Sequence, residues 1–261
     1  MSALKKIAGF IYAESGLVTS KTRIELALSR HLGVPVRLKR FYKGCGWGLK
    51  YLVFSAGRTE PDHLVKAASR VIEARLKKAL GKDYVPFDQR FSFEAGVLNS
   101  LAEIGHGPRV ELCENGFFLR EYLPGTCLLE LPDDQLSLSL PDILRTLDRI
   151  CASGIFHTDP NAGNVILNPA AGRISLIDSE VPLRETPPPT IGPERRAYCH
   201  ERLLYTAGLD LRLRRNAGPA LIPRLAGLVK EFYGSAENPA LAPERAVDLL
   251  EGRAGQMEMP Q

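Results

Sequence analysis

Two aspartates and an asparagine stand close together in the second half of the chain. Asp159 and Asn164 lie in the run His157-Thr-Asp-Pro-Asn-Ala-Gly-Asn164, and Asp178 ends the apolar run Ile174-Ser-Leu-Ile-Asp178. Transfer of a phosphoryl group from ATP needs a carboxylate at the attacking hydroxyl, and carboxylate and amide oxygens on the magnesium ions of the nucleotide. The segment therefore predicts phosphoryl transfer that depends on ATP and magnesium.

Each of these three residues has its own predicted role. Asp159 is the catalytic base or hydroxyl-orienting group, Asn164 completes the catalytic loop and binds one magnesium ion, and Asp178 binds the magnesium that bridges the β- and γ-phosphates. A plain polar loop is the alternative, because Asp-Pro and Asn-Ala-Gly form turns readily. The spacing, followed by a hairpin that ends in Asp178, favours the catalytic interpretation. His157 is predicted to be structural, and Asn161 is left between a substrate contact and loop shaping.

The first half of the chain must supply a lysine for the α- and β-phosphates and a glutamate that holds this lysine. Lys39 lies in a strand-like run and is the predicted lysine. Glu94 lies on a predicted helix with an apolar face and is the predicted partner. A solvated strand lysine and a plain surface glutamate are the alternatives, and three other basic residues compete for the first role: Arg37, Arg40 and Lys43.

Two glycine-containing stretches are candidates for a loop over the nucleotide. The run Gly44-Cys-Gly-Trp-Gly48 follows Lys39, so it is interpreted as a turn that faces the substrate. A nucleotide-covering loop is expected before Lys39, which places it near Gly16. Glycine spacing alone is a weak signal.

The order of apolar patterns predicts an α+β protein with two lobes. Residues 1–122 form a strand-rich, nucleotide-binding N-lobe, and residues 123–261 form a small helical C-lobe that carries the catalytic loop and the metal-binding Asp178. The strand end from Glu121 to Leu123 is predicted to offer backbone groups to adenine, before a hinge at Pro124-Gly125.

Residues 20–32 fit two patterns equally well. Ile24, Leu26 and Leu28 alternate as in a strand, whereas Thr22 with Glu25 and a closing Gly33 would suit a helix. Elsewhere the apolar spacing predicts helices at about 62–80, 91–104, 139–152, 192–207, 219–233 and 243–252. Strands are predicted at 109–112, 117–122, 165–167 and 174–177.

The composition limits the kinds of partner and cellular compartment that fit the chain. The net charge of +4 suits an acidic partner without identifying one, and five scattered cysteines without a CxxC pair indicate reduced thiols. The absence of a zinc spacing and of a long basic run gives nucleic-acid binding little support. No stretch has the roughly 20 apolar residues of a spanning helix. These features predict a cytoplasmic, soluble protein of open oligomeric state, with peripheral membrane attachment left open.

The motifs together resemble the bacterial lipopolysaccharide-core sugar kinases, which include the kinase of 3-deoxy-D-manno-octulosonic acid (Kdo) and the heptose kinases. The run from Ile155 to Leu167 resembles their catalytic loop, which aminoglycoside phosphotransferases and UbiB-like proteins share. The run Leu38-Lys-Arg-Phe-Tyr-Lys-Gly-Cys-Gly-Trp-Gly48 resembles their basic and aromatic strand with its glycine turn, and this element points to the lipopolysaccharide group. The segment from Phe93 to Gly105 resembles the helix that carries the ion-pair glutamate.

This resemblance implies a protein-kinase-like fold that uses ATP and Mg2+ to phosphorylate Kdo or heptose. The acceptor would be a lipid-linked sugar at the cytoplasmic face of the inner membrane. The resemblance also favours the strand interpretation of residues 22–42. Three departures bear on the acceptor more than on the phosphoryl chemistry: Ser179-Glu180 follows Asp178 where the family has an aromatic residue, Pro160 replaces a leucine, and Gly163 replaces a His-like residue.

Two other functions stay open. A protein kinase would need a peptide-holding segment after Asp178, and Gly192-Pro-Glu194, which superficially resembles an Ala-Pro-Glu motif, follows too soon. A pseudokinase scaffold would lack a metal ligand, and the sequence has each one. Five basic residues are candidates for the phosphates and carboxylates of an acceptor, or else form a solvated surface: Arg195, Arg196, Arg212, Arg214 and Arg215.

Overall fold

The chain divides into two compact units, each with its own sheet. The structure is a computed structural model that describes residues 15–41, 48–180, 191–213, 220–237 and 239–255. The first unit comprises Met1–Asn99 and Pro108–Leu123, and the second comprises Ser100–Gly107 and Pro124–Gln261. The predicted division between residues 122 and 123 lies next to this boundary, and residues 100–107, which it placed in the first part of the chain, group with the second unit.

The first unit is built on an antiparallel sheet of five strands in the order β1-β2-β3-β5-β4. The strands are β1 (Val36–Phe41), β2 (Leu49–Ser55), β3 (His63–Ala67), β4 (Val110–Glu114) and β5 (Phe117–Glu121). One face of this sheet forms a hydrophobic core with the helix α1 (Lys21–Leu32). Together with the helical second unit, this sheet confirms the predicted α+β class.

Helix α1 corrects the first part of the strand interpretation of residues 22–42, whereas Val36–Phe41 form the strand β1 as that interpretation predicts. Ile24 and Leu28 are fully buried while Leu26 between them is 54% exposed. This is helical spacing rather than strand alternation. Ser20 caps the amino end and accepts the Arg23 N–H at 3.4 Å, and Gly33 ends the helix at φ 70°. Both are residue types that favour these helix ends.

The predicted helix at 62–80 is also wrong in its first part. Residues 63–67 form β3, and only the helix α2 (Arg70–Leu80) follows the predicted pattern. The five residues of β3 are buried or nearly so, because the strand lies in the middle of the sheet and is covered on both faces. A strand buried on both faces does not alternate in polarity, so its short apolar run resembled the start of the helix that follows.

The helix α3 (Phe87–Glu103) brings Glu94 into the first unit. Its apolar side contacts the sheet through Phe91, whose ring packs edge-on against Phe118 of β5 with centroids 5.2 Å apart. Edge-on packing is a favourable geometry for two aromatic rings. Residues 100–107, at the end of α3 and directly after it, belong to the second unit, where Arg173 donates to the Gly105 and Gly107 carbonyls at 2.8 and 2.7 Å.

Among its described residues, the second unit combines a small sheet with four α-helices. The strands β6 (Thr126–Cys127), β7 (Val165–Asn168) and β8 (Arg173–Leu176) are antiparallel and adjacent in that order. The helices are α4 (Asp133–Ala152), α5 (Pro193–Leu213), α6 (Leu221–Ser235) and α7 (Pro243–Glu251). The predicted hairpin at 165–177 is thus present, and it places the catalytic-loop sequence just before β7 and Asp178 just after β8.

Glycine permits a close approach of two helices in this unit. A Cβ atom at Gly208 of α5 would lie 2.0 Å from the Leu250 carbonyl oxygen of α7. Since no side chain fits there, the contact requires glycine. In the described part of the chain, no helix is long and apolar enough to cross a membrane.

Candidate active site

In the first unit, the glutamate singled out from the sequence forms a buried ion pair. Lys66 Nζ lies 3.0 Å from Glu94 Oε1 and 2.7 Å from Oε2, and both side chains are almost fully inaccessible. Removing two charges from water is costly, so a buried ion pair is stable only when its two groups are held in good geometry. Lys66 comes from the middle strand β3 and Glu94 from helix α3, which is the arrangement that orients a lysine toward nucleotide phosphates.

The predicted pairing of Lys39 with Glu94 was therefore wrong. Lys39 lies on β1, opposite Leu52, and its side chain is exposed, whereas Glu94 is committed to Lys66. The sequence carried a signal for Lys66, because a lysine inside the short apolar run Leu64-Val-Lys-Ala67 resembles the strand lysine of kinases. Assigning residues 62–80 to one helix hid this signal.

With Lys66 in place of Lys39 as the partner of Glu94, the glycine run precedes the lysine instead of following it. The run from Gly44 to Gly48 joins β1 to β2 and precedes Lys66 in the chain. That is where a phosphate-covering loop belongs. Its first residues lie outside the described part of the structure, but Gly48 lies within it. A Cβ atom at Gly48 would stand 3.0 Å from Lys66 Cγ.

Gly16 does not occupy a loop between two strands of the sheet. Its carbonyl accepts the Arg70 N–H at 2.7 Å, and a Cβ atom there would lie 2.7 Å from Val71 Cγ2. Gly16 thus packs against the start of α2, and its contact with a nucleotide stays a prediction.

The predicted adenine-binding residues end the last strand of the first unit. The Glu121 N–H donates to the Arg109 carbonyl at 2.9 Å, and Glu121 Oε2 accepts the Arg109 N–H at 3.0 Å. The Tyr122 N–H donates to the Asp62 carbonyl at 3.0 Å. The Glu121 N–H is therefore used by backbone pairing, and its carbonyl lies 3.4 Å from a guanidinium nitrogen of Arg120. An adenine contact of Glu121 and Leu123 stays a prediction.

In the second unit, one amide joins the three residues on which the sequence prediction depends. Asn164 Nδ2 donates to the Asp159 carbonyl at 2.9 Å, and it lies 3.3 Å from both Asp159 Oδ2 and the Asp178 carbonyl. The Ile177 N–H donates to the Asn164 carbonyl at 2.9 Å, which fixes the end of β8 beside the loop. Because its nitrogen is engaged, the amide oxygen of Asn164 is the atom that suits a cation.

Asp178 has a left-handed backbone with φ 59° and a buried side chain. This conformation is uncommon outside glycine and occurs where surrounding structure holds it, often at functional sites. The donor set of an amide oxygen from Asn164 and a carboxylate from Asp178 is hard and oxygen-based, as magnesium prefers. These two residues fit a magnesium ion that is bound mainly through nucleotide phosphates.

Two further loop residues shape the backbone. Asn161 Oδ1 accepts the Gly163 N–H at 2.8 Å, while its Nδ2 donates to Asp159 Oδ2 at 2.7 Å, so the side chain shapes the loop. His157 is fully buried, and its Nε2 lies 3.1 Å from the Ile177 carbonyl, to which it donates. Burial is the main cause that lowers the pKa of His157 to about 4. Because burial disfavours the charged form, this ring is neutral at physiological pH.

Arg202, which no sequence pattern indicated, holds the carboxylate of Asp159. Arg202 of α5 places Nε and a terminal guanidinium nitrogen each 2.9 Å from Asp159 Oδ1. Arg202 and Asp159 are separated by a long stretch of chain, and no local pattern links them. Only the packing of α5 on the loop brings them together.

One face of α5 contacts the loop at several consecutive residues. The Tyr198 hydroxyl donates to the Thr158 carbonyl at 3.0 Å, and Cys199 Sγ lies 3.8 Å from the His157 carbonyl. Thr206 Oγ1 accepts the Ala162 N–H at 2.9 Å. Because these side chains recur at about one helical turn, α5 acts as a rigid support for the loop.

Of the five arginines proposed for an acceptor, the three that the structure describes have structural contacts. Arg196 Nε donates to Asp148 Oδ1 at 2.8 Å, and a guanidinium nitrogen of Arg212 donates to the Leu250 carbonyl at 2.7 Å. Arg195 stacks over the Phe156 ring at 5.4 Å from its centroid. This distance suits a cation–π interaction. Arg214 and Arg215 lie outside the described residues.

No protein-family model matches the sequence. No curated protein matches it either. Among solved structures, the chain is similar to the kinase domain of Mycobacterium tuberculosis PknI, with 20% identity, a TM-score of 0.45, and coverage of 85% of this chain and 96% of that domain. A point mutant of that domain gives 21% identity and a TM-score of 0.47 at the same coverage.

The kinase PK-1 of Cydia pomonella granulovirus is similar at 13% identity and a TM-score of 0.39, over 61% of this chain and 56% of that one. At these identities and TM-scores, the similarities alone assign neither a family nor an activity to the chain.

Proposed function

We propose that the protein is a protein-kinase-like phosphotransferase that moves the γ-phosphoryl group of MgATP to an alcohol. The observation that carries this proposal is the Asn164 amide, which ties the catalytic-loop Asp159 to the backbone of Asp178. A phosphotransferase needs a carboxylate at the acceptor hydroxyl and oxygen ligands on magnesium, and little other covalent chemistry. Asp159 supplies the first, and Asn164 and Asp178 supply the second.

The first unit would hold the nucleotide. Lys66, which Glu94 orients, would contact the α- and β-phosphates. The glycine run that precedes Lys66 would cover these phosphates. The strand end at Glu121 and Leu123 would contact adenine. Magnesium, when bound with the nucleotide, would neutralise charge on the phosphates during transfer.

For the acceptor, we propose a lipopolysaccharide-core sugar, Kdo or heptose, on a lipid carrier at the inner-membrane face. The glycine and aromatic element around Gly44–Gly48 supports this choice through its resemblance to that group of kinases. The short chain between Asp178 and the start of α5 at Pro193 also favours a small acceptor over a peptide. A protein serine or threonine is the second candidate, because Gly192-Pro-Glu194 resembles the Ala-Pro-Glu motif of protein kinases.

The test combines nucleotide binding with transfer to both acceptor classes. The purified chain is incubated with magnesium, ATP that carries a radioactive γ-phosphate, and either lipid A–core glycolipids extracted from bacteria or casein. We expect label on the glycolipid, loss of this label in Asp178→Ala and Lys66→Met, and its retention in Lys39→Met. Label on casein alone would replace the sugar with a protein acceptor. Failure of the wild-type chain to bind MgATP would disprove the phosphotransferase itself.

A further inference from the structure

We propose that Lys50 is a second phosphate-binding lysine for the nucleotide, beside Lys66. This inference rests on the proposed nucleotide binding and adds a residue to it. Lys50 lies on β2, directly opposite Lys66 of β3 in the antiparallel register. Side chains at directly opposite positions of such a pair leave the same face of the sheet, with Cβ atoms about 5 Å apart.

The neighbours of Lys50 on its strand establish which face it occupies. Leu49 and Tyr51 flank it and belong to the hydrophobic core that α1 covers. Because successive residues of a strand point to opposite faces, Lys50 lies on the other face. That is the face where Lys66 meets Glu94. The register and the burial of the flanking residues agree on this placement.

The two lysines are unusual in their burial. Lys50 is 7% exposed and Lys66 is 1% exposed. Lysine is rarely buried so deeply unless negative groups are nearby. Lys66 has Glu94 as such a group. A polyphosphate carries several negative charges and would accept charge-assisted hydrogen bonds from both ammonium groups on this face.

Gly48 lies on the same face, because it precedes Lys50 by two residues. A Cβ atom there would stand 3.0 Å from Lys66 Cγ and 3.4 Å from Lys66 Cε, so the stem of Lys66 packs directly over this glycine. Glycine at this position therefore lets Lys66 lie across the strand beside Lys50. Lys39 provides the contrast, because it is exposed on β1 and lies opposite Leu52 rather than a second cation.

The experiment separates phosphate contacts from adenosine contacts. Calorimetric titrations of the full chain with MgADP and with adenosine are compared for wild type, Lys50→Met, Lys50→Arg and Lys39→Met. We expect Lys50→Met to weaken MgADP binding about tenfold or more, the loss typical of one charge-assisted hydrogen bond, with little change for adenosine. Lys50→Arg should keep most of the MgADP affinity, and Lys39→Met should match wild type.

The outcomes distinguish this inference from the function on which it rests. If wild type binds MgADP and Lys50→Met binds it with the same affinity, the role of Lys50 alone is overturned. An equal loss of MgADP and adenosine affinity would also overturn it, because the lysine would then support the fold of the sheet. A wild-type chain that binds no nucleotide would overturn the proposed function first. Thermal unfolding of Lys50→Met beside Lys50→Arg reports whether the sheet is intact.

Discussion

At the scale of single residues, the carboxylate of Asp159 is held from both sides. Arg202 contributes two nitrogens to Oδ1, while Asn161 and Asn164 approach Oδ2 at 2.7 and 3.3 Å. A carboxylate offers about four lone-pair positions, so these donors together fix its plane. In the proposed reaction, an acceptor hydroxyl would therefore meet a carboxylate whose orientation is already set, which lowers the entropic cost of the reactive geometry.

Removing Arg202 should lower turnover without weakening nucleotide binding. Arg202→Ala deletes a charge-assisted contact to the catalytic carboxylate, so we expect kcat to fall by about tenfold to a hundredfold, with KM for ATP nearly unchanged. Arg202→Lys should recover only part of the loss, because an ammonium group lacks the planar fork of two nitrogens. Steady-state kinetics of MgATP turnover measure both quantities.

The exposed Arg224 of α6 gives a matched control for this prediction, since Arg224→Ala removes the same side chain away from the loop. A raised KM for ATP with unchanged kcat in Arg202→Ala would show that Arg202 binds nucleotide instead of positioning Asp159. Equal melting temperatures of the two variants would confirm that the comparison concerns the site and not the fold.

The catalytic-loop residues and the lysine differ in how far sequence reasoning could reach them. Asp159, Asn164 and Asp178 sit within one short segment, so their spacing alone predicted that they come together, and the Asn164 contacts show them together. Lys66 and Glu94 are joined across a strand and a helix, so naming the lysine depended on assigning β3 correctly. Arg202 carries no local signal at all.

At the scale of elements, helix α5 contacts both the catalytic loop and helix α7. Tyr198, Arg202 and Thr206 contact the catalytic loop, while Gly208 lies against the Leu250 carbonyl of α7. The position of α5, and with it the position of Arg202, therefore depends on how closely α7 approaches. A glycine with no space for a methyl group controls that approach.

A methyl group at this contact should separate the helices. We expect Gly208→Ala to lower the free energy of unfolding by about 1–3 kcal/mol, the usual cost of overpacking. Gly227→Ala is the matched control, because Gly227 lies inside α6 with nothing near its Cβ position. Alanine there should raise stability by about 0.5–1 kcal/mol. Urea denaturation of both variants checks the opposite signs, and a stabilised Gly208→Ala would contradict the close approach.

Elements with an amphipathic pattern were predictable, and those without one were not. The helices of the second unit and the β7–β8 hairpin follow their apolar spacing. Residues 21–32 were ambiguous because Leu26 is an exposed apolar residue between two buried ones, which mimics strand alternation. Burial against the sheet, which no local pattern reveals, decides that this segment is a helix.

At the scale of the whole molecule, two fully buried histidines link folding to pH. His157 supports the catalytic loop, and burial lowers its pKa to about 4. His200 is buried in the second unit, with Nδ1 2.6 Å from the Tyr233 hydroxyl and Nε2 3.0 Å from Asp148 Oδ1, and burial lowers its pKa as well. Each ring is neutral in the folded protein at pH values where the unfolded chain binds a proton.

The sign of the resulting pH dependence follows from proton binding. Between pH 6.5 and about 4 the unfolded chain binds a proton at His157 that the folded chain does not. Stability therefore falls as the pH falls through this range. For His157 alone, the shift amounts to about 2–3 kcal/mol lost between pH 7 and pH 4.5. Since carboxylates and His200 also titrate, the wild-type curve contains more than this one contribution.

A variant without the imidazole of His157 isolates the contribution of this residue to the pH dependence of stability. His157→Gln keeps a nitrogen donor for the Ile177 carbonyl but cannot titrate. Its free energy of unfolding should therefore fall by about 2–3 kcal/mol less than that of wild type over the same range. Urea denaturation of both proteins at pH 7 and pH 4.5 gives this difference of differences, in which any loss that is the same at both pH values cancels. Parallel curves would show that His157 takes up its proton in the folded protein as readily as in the unfolded chain. Water would then reach the His157 ring, and the contact between this ring and the Ile177 carbonyl would not be closed to solvent.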